Sequence, residues 1–488
     1  MKNLIKYIIL LVVITLTSCE AELDLPPVDE FEPESLFQSE EGIEAVLFSA
    51  YNFDRINTGS VKNEILMNEV STDMSFVRIG AVEREMSPFL DFNWDSSDPI
   101  LQNAFWTPRY RGIRDANTVI ENIESSDVSE SNTTLFRAEA RYIRAAQYAH
   151  LYRYFGVVPL RTTTNLNEQP QALPLPSQEE FFSFVEAELR ESANNLPHPS
   201  EQTQWGRATK GHAYAILTKF FMNTRQWEKV VEATDLLMEL NYYELYPDYR
   251  GTFFVENEGN REIIVTYSYR NEQGQGLQFQ NGAFPPGFLN TASVPEFEWT
   301  TSMANWPTQF SLRDGFVESF NPEDDRKQAV IEQYQNRGGN MVDLRTTPDN
   351  SRSLKFWDNN QVGNFSGADF PFIRYADILL SRAEALNEIN GPTQEALDLV
   401  NEVRTRSIDD PYTMSDAGST EALRGIILEE RGWEFYSEGK RREDLVRHNK
   451  FIEFARDRGL NASEHQIFFP YPQEEVNANP ALEQREGY

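Results

Sequence analysis

The side chains able to do chemistry are unevenly supplied in this chain. There are 77 Asp and Glu against 44 Lys and Arg, five histidines and a single cysteine. The histidines are His150, His198, His212, His448 and His465, with no His-Glu-x-x-His motif and no two at the spacing that would turn both towards one metal on a helix. There is no Gly-x-Ser-x-Gly elbow and no P-loop, and Arg337-Gly338-Gly339-Asn340 reads as a turn rather than a phosphate cradle. Carboxylates are plentiful enough that a glycosidase pair is not excluded by composition, but no pair recommends itself. Glu430 and Glu434 stand one helical turn apart among arginines. Arginine pairing favours the ionised form and lowers the pKa, the wrong direction for a general acid. The reading is a protein without catalysis, metal or cofactor.

The cysteine is different. Lys2 and Lys6 precede an apolar run from Tyr7 to Leu16. About ten residues suit a secretory signal and fall short of the roughly 20 needed to cross a bilayer. The run ends in Leu16-Thr17-Ser18-Cys19, which has the form of a lipobox: cleavage after residue 18 and a lipid on the Cys19 thiol. The rest of the chain has no thiol, so disulfides, thiolate metal sites and cysteine nucleophiles are excluded there. Several acyl chains on one residue anchor firmly, where one alone is marginal. The lipid is the expected membrane contact. A formal net charge of −33 disfavours binding nucleic acid or another polyanion by charge alone.

These features need a scaffold. Residues 19–34 are acidic and rich in proline and read as a tether, with a single domain expected over 35–488. Tyr142, Ala145, Ala149 and Tyr152 repeat at helical spacing, and Gly156 and Pro159 end that helix. A second helix is expected over Gln178–Asn194. A third, Thr209–Asn223 with Ala213, Ile216, Phe220 and Phe221 inward, turns tightly into a fourth that carries Trp227, Val230, Thr234 and Leu237. Phe372–Asn390 and Thr393–Ser407 form another pair around Gly391-Pro392. Antiparallel pairs with small residues are the unit of a tetratricopeptide array, here irregular, over about 133–245 and 371–450. Residues 73–108 and 245–370 read as loop-rich and aromatic, with strand-like runs such as Glu262–Tyr267. The expected fold is mainly α, with large loop insertions and few short strands.

Several motifs then carry a resemblance. An alanine- and arginine-rich helix ends in Tyr154-Phe155-Gly156-Val157-Val158-Pro159-Leu160. Arg374-Tyr375-Ala376-Asp377 opens another, followed by Arg382-Ala383-Glu384-Ala385 and by Asn401-Glu402-Val403-Arg404-Thr405-Arg406. Glu430-Arg431, Glu434, Glu438-Gly439, Arg442 and Asp444-Leu445 come next. Phe469-Pro470-Tyr471-Pro472, Glu475, Asn479-Pro480, Gln484 and Gly487-Tyr488 complete the pattern. In this order, behind a lipobox, they resemble the SusD/RagB family of Bacteroidetes surface lipoproteins. Gln147 and His150 depart from it, where bulky aromatics are expected.

The resemblance implies a cell-surface lipoprotein of the outer membrane that binds an oligo- or polysaccharide and delivers it to a SusC-like TonB-dependent β-barrel transporter. It implies a shallow site on loops, where aromatic planes stack on sugar C–H faces and polar neighbours bond the hydroxyls. The candidates are Phe92-Asn93-Trp94-Asp95, with Trp94 first; Trp299 beside Glu298 and Trp306 beside Asn305; Tyr267, Tyr269 and Arg270; and Trp357 in Lys355-Phe356-Trp357-Asp358. Trp106 and Trp227 are assigned to packing. With no arginine excess beside these tryptophans, a neutral glycan is favoured. The alternatives are a peptide-binding member of the family, a tetratricopeptide scaffold in the envelope, and a glycoside hydrolase.

Overall fold

The computed structural model describes residues 37–54, 60–78, 80–165, 167, 172–297, 299–305 and 310–488. The signal peptide over 1–18, Cys19, the tether, Glu298 and Trp306 lie outside them.

Helices dominate, and their ends follow local chemistry. Ser129 caps Glu130–Phe155 by accepting the Asn132 N–H, and Gly156 ends it at φ 65°, a left-handed conformation that costs glycine nothing. Ser177 and Glu180 form a reciprocal capping box on Gln178–Asn195, and Thr209 and His212 do the same for Lys210–Asn223. Trp227–Met238 packs antiparallel on Lys210–Asn223, and Gln394–Thr405 on Tyr375–Asn390. The two pairs are contiguous in space, because Trp227–Met238 also packs directly against Tyr375–Asn390. The array is thus interrupted in sequence and continuous in space. Buried Ala213, Ala376 and Ala383 permit the close approach. Among the described residues, no helix is long and apolar enough to cross a membrane.

Two sequence expectations are corrected. Residues 73–108 are not mostly loop: Ala81–Leu90 is a helix that buries Val82, Met86 and Phe89 on one face. Those residues have the amphipathic spacing, which Pro88 near the helix end obscures. The helix expected from Phe372 begins at Tyr375, because Phe370–Arg374 is a strand paired antiparallel with Ile263–Tyr267.

The central region is a lobe of small sheets. Phe288–Asn290, Gln333–Asn336 and Met341–Asp343 form one, Ser75–Val77 pairs with Phe310–Leu312, and Val330–Ile331 pairs with Arg352–Ser353. Phe284, Phe288, Val294, Phe297, Tyr334 and Trp357 give this lobe a core of its own, separate from the main one that runs from Ile43 to Leu482.

A buried charge network locks the lobe to the helices. Glu430 accepts Arg326 at 2.5 Å and Arg404 at 3.2 Å. Glu434 accepts Arg374 at 2.9 Å and also pairs with Arg406, and Glu438 accepts Lys355 at 2.6 Å and Arg374 at 2.8 Å. Neighbouring arginines were expected to supply these partners, but the helix ends at Phe435 and the partners arrive from distant segments. Arg431 instead bridges Asp377 and Asp444, Arg441 grips Asp73, and Arg442 lies over Phe469 at 4.5 Å. Burial opposes ionisation of Glu434, yet Arg406, Arg374 and Arg326 outweigh it and hold the carboxyl well below the usual range. At Glu430 burial prevails and the carboxyl is pushed up, against the sequence expectation. Gln147 and His150, where aromatics were expected, both bond Arg109 inside the core, at 3.0 and 2.8 Å.

Candidate functional site

The four aromatic clusters meet different fates. Trp94 is only 3% exposed. Its ring lies against Phe89, Phe92 and Phe469, with centroids 5.9, 4.8 and 5.1 Å away, and its indole N–H donates to the Tyr488 hydroxyl at 2.8 Å. A ring enclosed in this way has no face to offer a sugar, so the expectation of an exposed Trp94 is corrected. Phe92 is buried too, packed on Phe451, with its carbonyl accepting from Gln466 at 2.9 Å. Asn93 and Asp95 alone in this cluster reach solvent, and Asp95 is occupied with capping Ser97, which holds its carboxyl low.

Tyr267 and Tyr269 are likewise buried, Tyr267 against Phe372 at 5.2 Å, while Arg270 is exposed. Position explains the first: Tyr267 is the last residue of a strand whose five residues are all buried, whichever face they point to. Trp357 packs on Phe254 at 4.8 Å, with the Arg250 guanidinium over it at 5.9 Å. Its neighbours serve the framework. Lys355 donates to the Glu434 and Tyr436 carbonyls, burial pushing its ammonium down to about 8 although Glu438 faces it. Asp358 accepts the backbone N–H groups of Asn360 and Gly367, both at 2.7 Å.

Trp299 stands apart. It is half-buried at the edge of the lobe, with its ring edge-on to Phe284 at 5.2 Å and the Arg337 guanidinium 5.3 Å from its centroid. The Arg337 backbone is anchored, its N–H donating to the Gly287 carbonyl at 2.8 Å, and its side chain is exposed. Thr300, Ser302 and Asn305 follow on the same loop, and Asn305 donates to the Pro285 carbonyl at 2.9 Å. The ring is therefore bracketed by Phe284 and Arg337, with hydroxyl and amide groups on the residues that follow it.

The sequence reading missed two rings. Phe48 and Trp205 are the exposed aromatic side chains among the described residues, each 42% exposed, and they line one groove. A signal existed: Trp205 lies in Gln204-Trp205-Gly206-Arg207, a polar, glycine-containing link between helices where a core residue is out of place. Among the described residues, no group of three or more His, Cys, Asp or Glu is arranged to hold a metal ion.

Residues 23–222 match the family described as starch-binding and associating with the outer membrane, and residues 256–459 match the one described as the SusD family. SusD-like protein P25 of Formosa agariphila is 24% identical over 99% of this chain and 97% of its own length. The starch-binding protein SusD of Bacteroides thetaiotaomicron is 22% identical over 97% and 96%. A laminarin-binding SusD-like protein superposes with a TM-score of 0.77 at 22% identity, covering 92% of this chain and all of the other.

Proposed function

This chain belongs to the SusD family, and on that premise we propose that it is a non-catalytic glycan-binding lipoprotein of the outer cell surface. It captures an oligo- or polysaccharide and passes it to a SusC-like TonB-dependent transporter. Relatives named for binding starch and laminarin support the ligand class, and the match to proteins associating with the outer membrane supports the location. A lipid on Cys19 would supply the anchor.

The observation that carries the reading is Trp299. An indole held by Phe284 and Arg337 at a loop edge can accept the C–H face of a pyranose without first losing conformational freedom. The guanidinium and the nearby hydroxyls can bond the sugar's oxygens. Trp306, the next tryptophan in the sequence, belongs to this proposal.

Affinity electrophoresis through gels containing starch, laminarin, xylan or mannan tests it. Retardation of the wild type by at least one polymer, lost in Trp299→Ala with an unchanged melting temperature, is the expected result. A wild type that runs freely through all of them refutes glycan capture. Exchange of Cys19 for Ala should release the protein from the membrane fraction, and protease added to intact cells should digest the wild type.

A further inference from the structure

A second aromatic site lies away from the Trp299 loop, between the helix Glu40–Asp54, the link that carries Trp205, and the strand Ile263–Tyr267. Phe48, Tyr51, Trp205 and Arg207 line a groove of about 190 Å³ with Gln204, Thr266 and Ser268. That volume is well below the roughly 300–1,000 Å³ of cavities that enclose drug-sized ligands. It suits one ring of a longer chain.

The groove is built, not incidental. The Trp205 indole N–H donates to Asp369 Oδ2 at 2.9 Å, and the same oxygen accepts the Ser268 hydroxyl at 3.1 Å. Asp369 Oδ1 accepts the Tyr269 backbone N–H at 2.8 Å, so the carboxylate that aims the indole is itself fixed. Gly206, at φ 88°, turns the chain directly after the ring. On the other wall the Arg207 guanidinium lies 5.4 Å from the ring centroids of both Phe48 and Phe136. It bonds Glu44 at 2.8 Å and Glu139 at 3.0 Å. Two exposed rings are thus held by charged groups, with an amide and two hydroxyls between them. That is apolar area for C–H faces and polar groups for hydroxyls, the composition a sugar demands.

The charge around the groove selects further. The one cation among the described residues that line the groove, Arg207, is paired with two carboxylates, Glu44 and Glu139, and Asp369 adds a third; the Asp369 N–H donates to Glu258 Oε1 at 2.8 Å. Burial together with the negative charge of Asp369 pushes the Glu258 carboxyl up to about 8, so this corner already resists a further negative charge. A uronate or sulfate ester brought here would meet three carboxylates against one guanidinium.

We propose that the Trp205–Phe48 groove is a second glycan-binding subsite, specific for an uncharged pyranose unit. The proposal rests on the glycan-capture reading above. With two subsites on separate elements, a long polymer engages both at once, and each contact raises the effective concentration at the other. An apolar peptide side chain is the competing occupant.

Calorimetric titration with laminarihexaose, maltohexaose, mannohexaose, xylohexaose and hexagalacturonate tests this on the full chain, its Trp205→Ala and Trp299→Ala variants and the double variant. Because the Trp205 ring is exposed, its removal should leave the melting temperature unchanged; Trp205→Phe, which keeps an apolar plane, covers the case that it does not. The expected result is that at least one neutral hexasaccharide binds at two sites per chain, that Trp205→Ala removes one of them, and that affinity for the parent polymer falls at least tenfold. Trp205→Phe should recover part of that loss. One site per chain, unaffected by Trp205→Ala and abolished by Trp299→Ala, overturns the second subsite and leaves glycan capture standing. Hexagalacturonate binding lost on Trp205→Ala overturns the claim for uncharged sugars. A wild type that binds none of the five sugars overturns glycan capture and the subsite together. Binding of Ala-Leu-Ala-Phe peptide that is lost in Trp205→Ala, with no neutral sugar binding at that site, identifies an apolar side chain as the occupant and also overturns it.

Discussion

The Trp94 indole N–H donates to the Tyr488 hydroxyl at 2.8 Å, across 394 positions of sequence, and that hydroxyl donates in turn to the Phe468 carbonyl at 2.9 Å. The relay pins the first aromatic loop to the segment around Phe469. Tyr488→Phe should therefore leave a buried indole donor unpaired and cost about 1–3 kcal/mol, read as a lower urea midpoint. Trp94→Ala should cost about 3–5 kcal/mol through the cavity it leaves. If Trp94→Ala instead keeps full stability and loses only glycan binding, the ring is a ligand platform and the packing account is wrong.

Glu434 is the hub of the buried network, bonded to Arg374, Arg406 and Arg326. Glu434→Gln should destabilise by about 3–5 kcal/mol, because three guanidiniums lose a charge they are buried against. Its folded-state pKa is depressed, so its contribution is fully present above the unfolded value of 4.5 and is lost as pH falls below that. Acid titration of stability below about pH 4 should be steeper in the wild type than in the variant. Parallel curves would show that the carboxylate is unpaired.

Glu69 has the opposite sign. It is buried, accepts the Gly439 backbone N–H at 3.0 Å and the Ser75 hydroxyl at 2.8 Å, and burial pushes it up to about 7. A raised folded pKa gives stability that is present below the unfolded value of 4.5 and lost as pH rises through about 7. Relative to Glu69→Gln, the wild type should lose on the order of 3 kcal/mol between pH 4.5 and 8. Equal pH dependence of the two urea midpoints would show Glu69 ionised throughout.

Arg337 should matter through Trp299. Arg337→Ala frees one side of the indole and removes a hydrogen-bond donor, so glycan affinity should fall about three- to tenfold, by roughly the 0.5–1 kcal/mol of an exposed cation–π contact plus one polar contact. Arg337→Lys should retain part of that affinity. Calorimetry on whichever polymer retards the wild type measures both, and an unchanged affinity in Arg337→Ala would remove the guanidinium from the site.

Much of the scaffold was legible because its signals are local. Capping boxes at Ser177 and Thr209, the stop at Gly156 and the break at Gly391-Pro392 act within a few residues, and the structure sets them at helix ends. The helix Ala81–Leu90 escaped because Pro88 masks its period. The strand Phe370–Arg374 escaped because its partner lies about a hundred residues earlier, at Ile263–Tyr267.

What the sequence determined by itself was the helical-pair scaffold, the acidic balance and the ordered set of motifs that mark the family. Only tertiary structure decided which aromatic rings face solvent. Trp94 and Trp205 both sit in polar segments, and the Gly206 beside Trp205 marks a turn without saying whether the ring before it is covered. The difference is long-range packing: Phe469 and Tyr488 close over Trp94, whereas Asp369 holds Trp205 by its edge and leaves the ring open. Burial depends on what arrives from distant parts of the chain, and composition around a residue does not encode that.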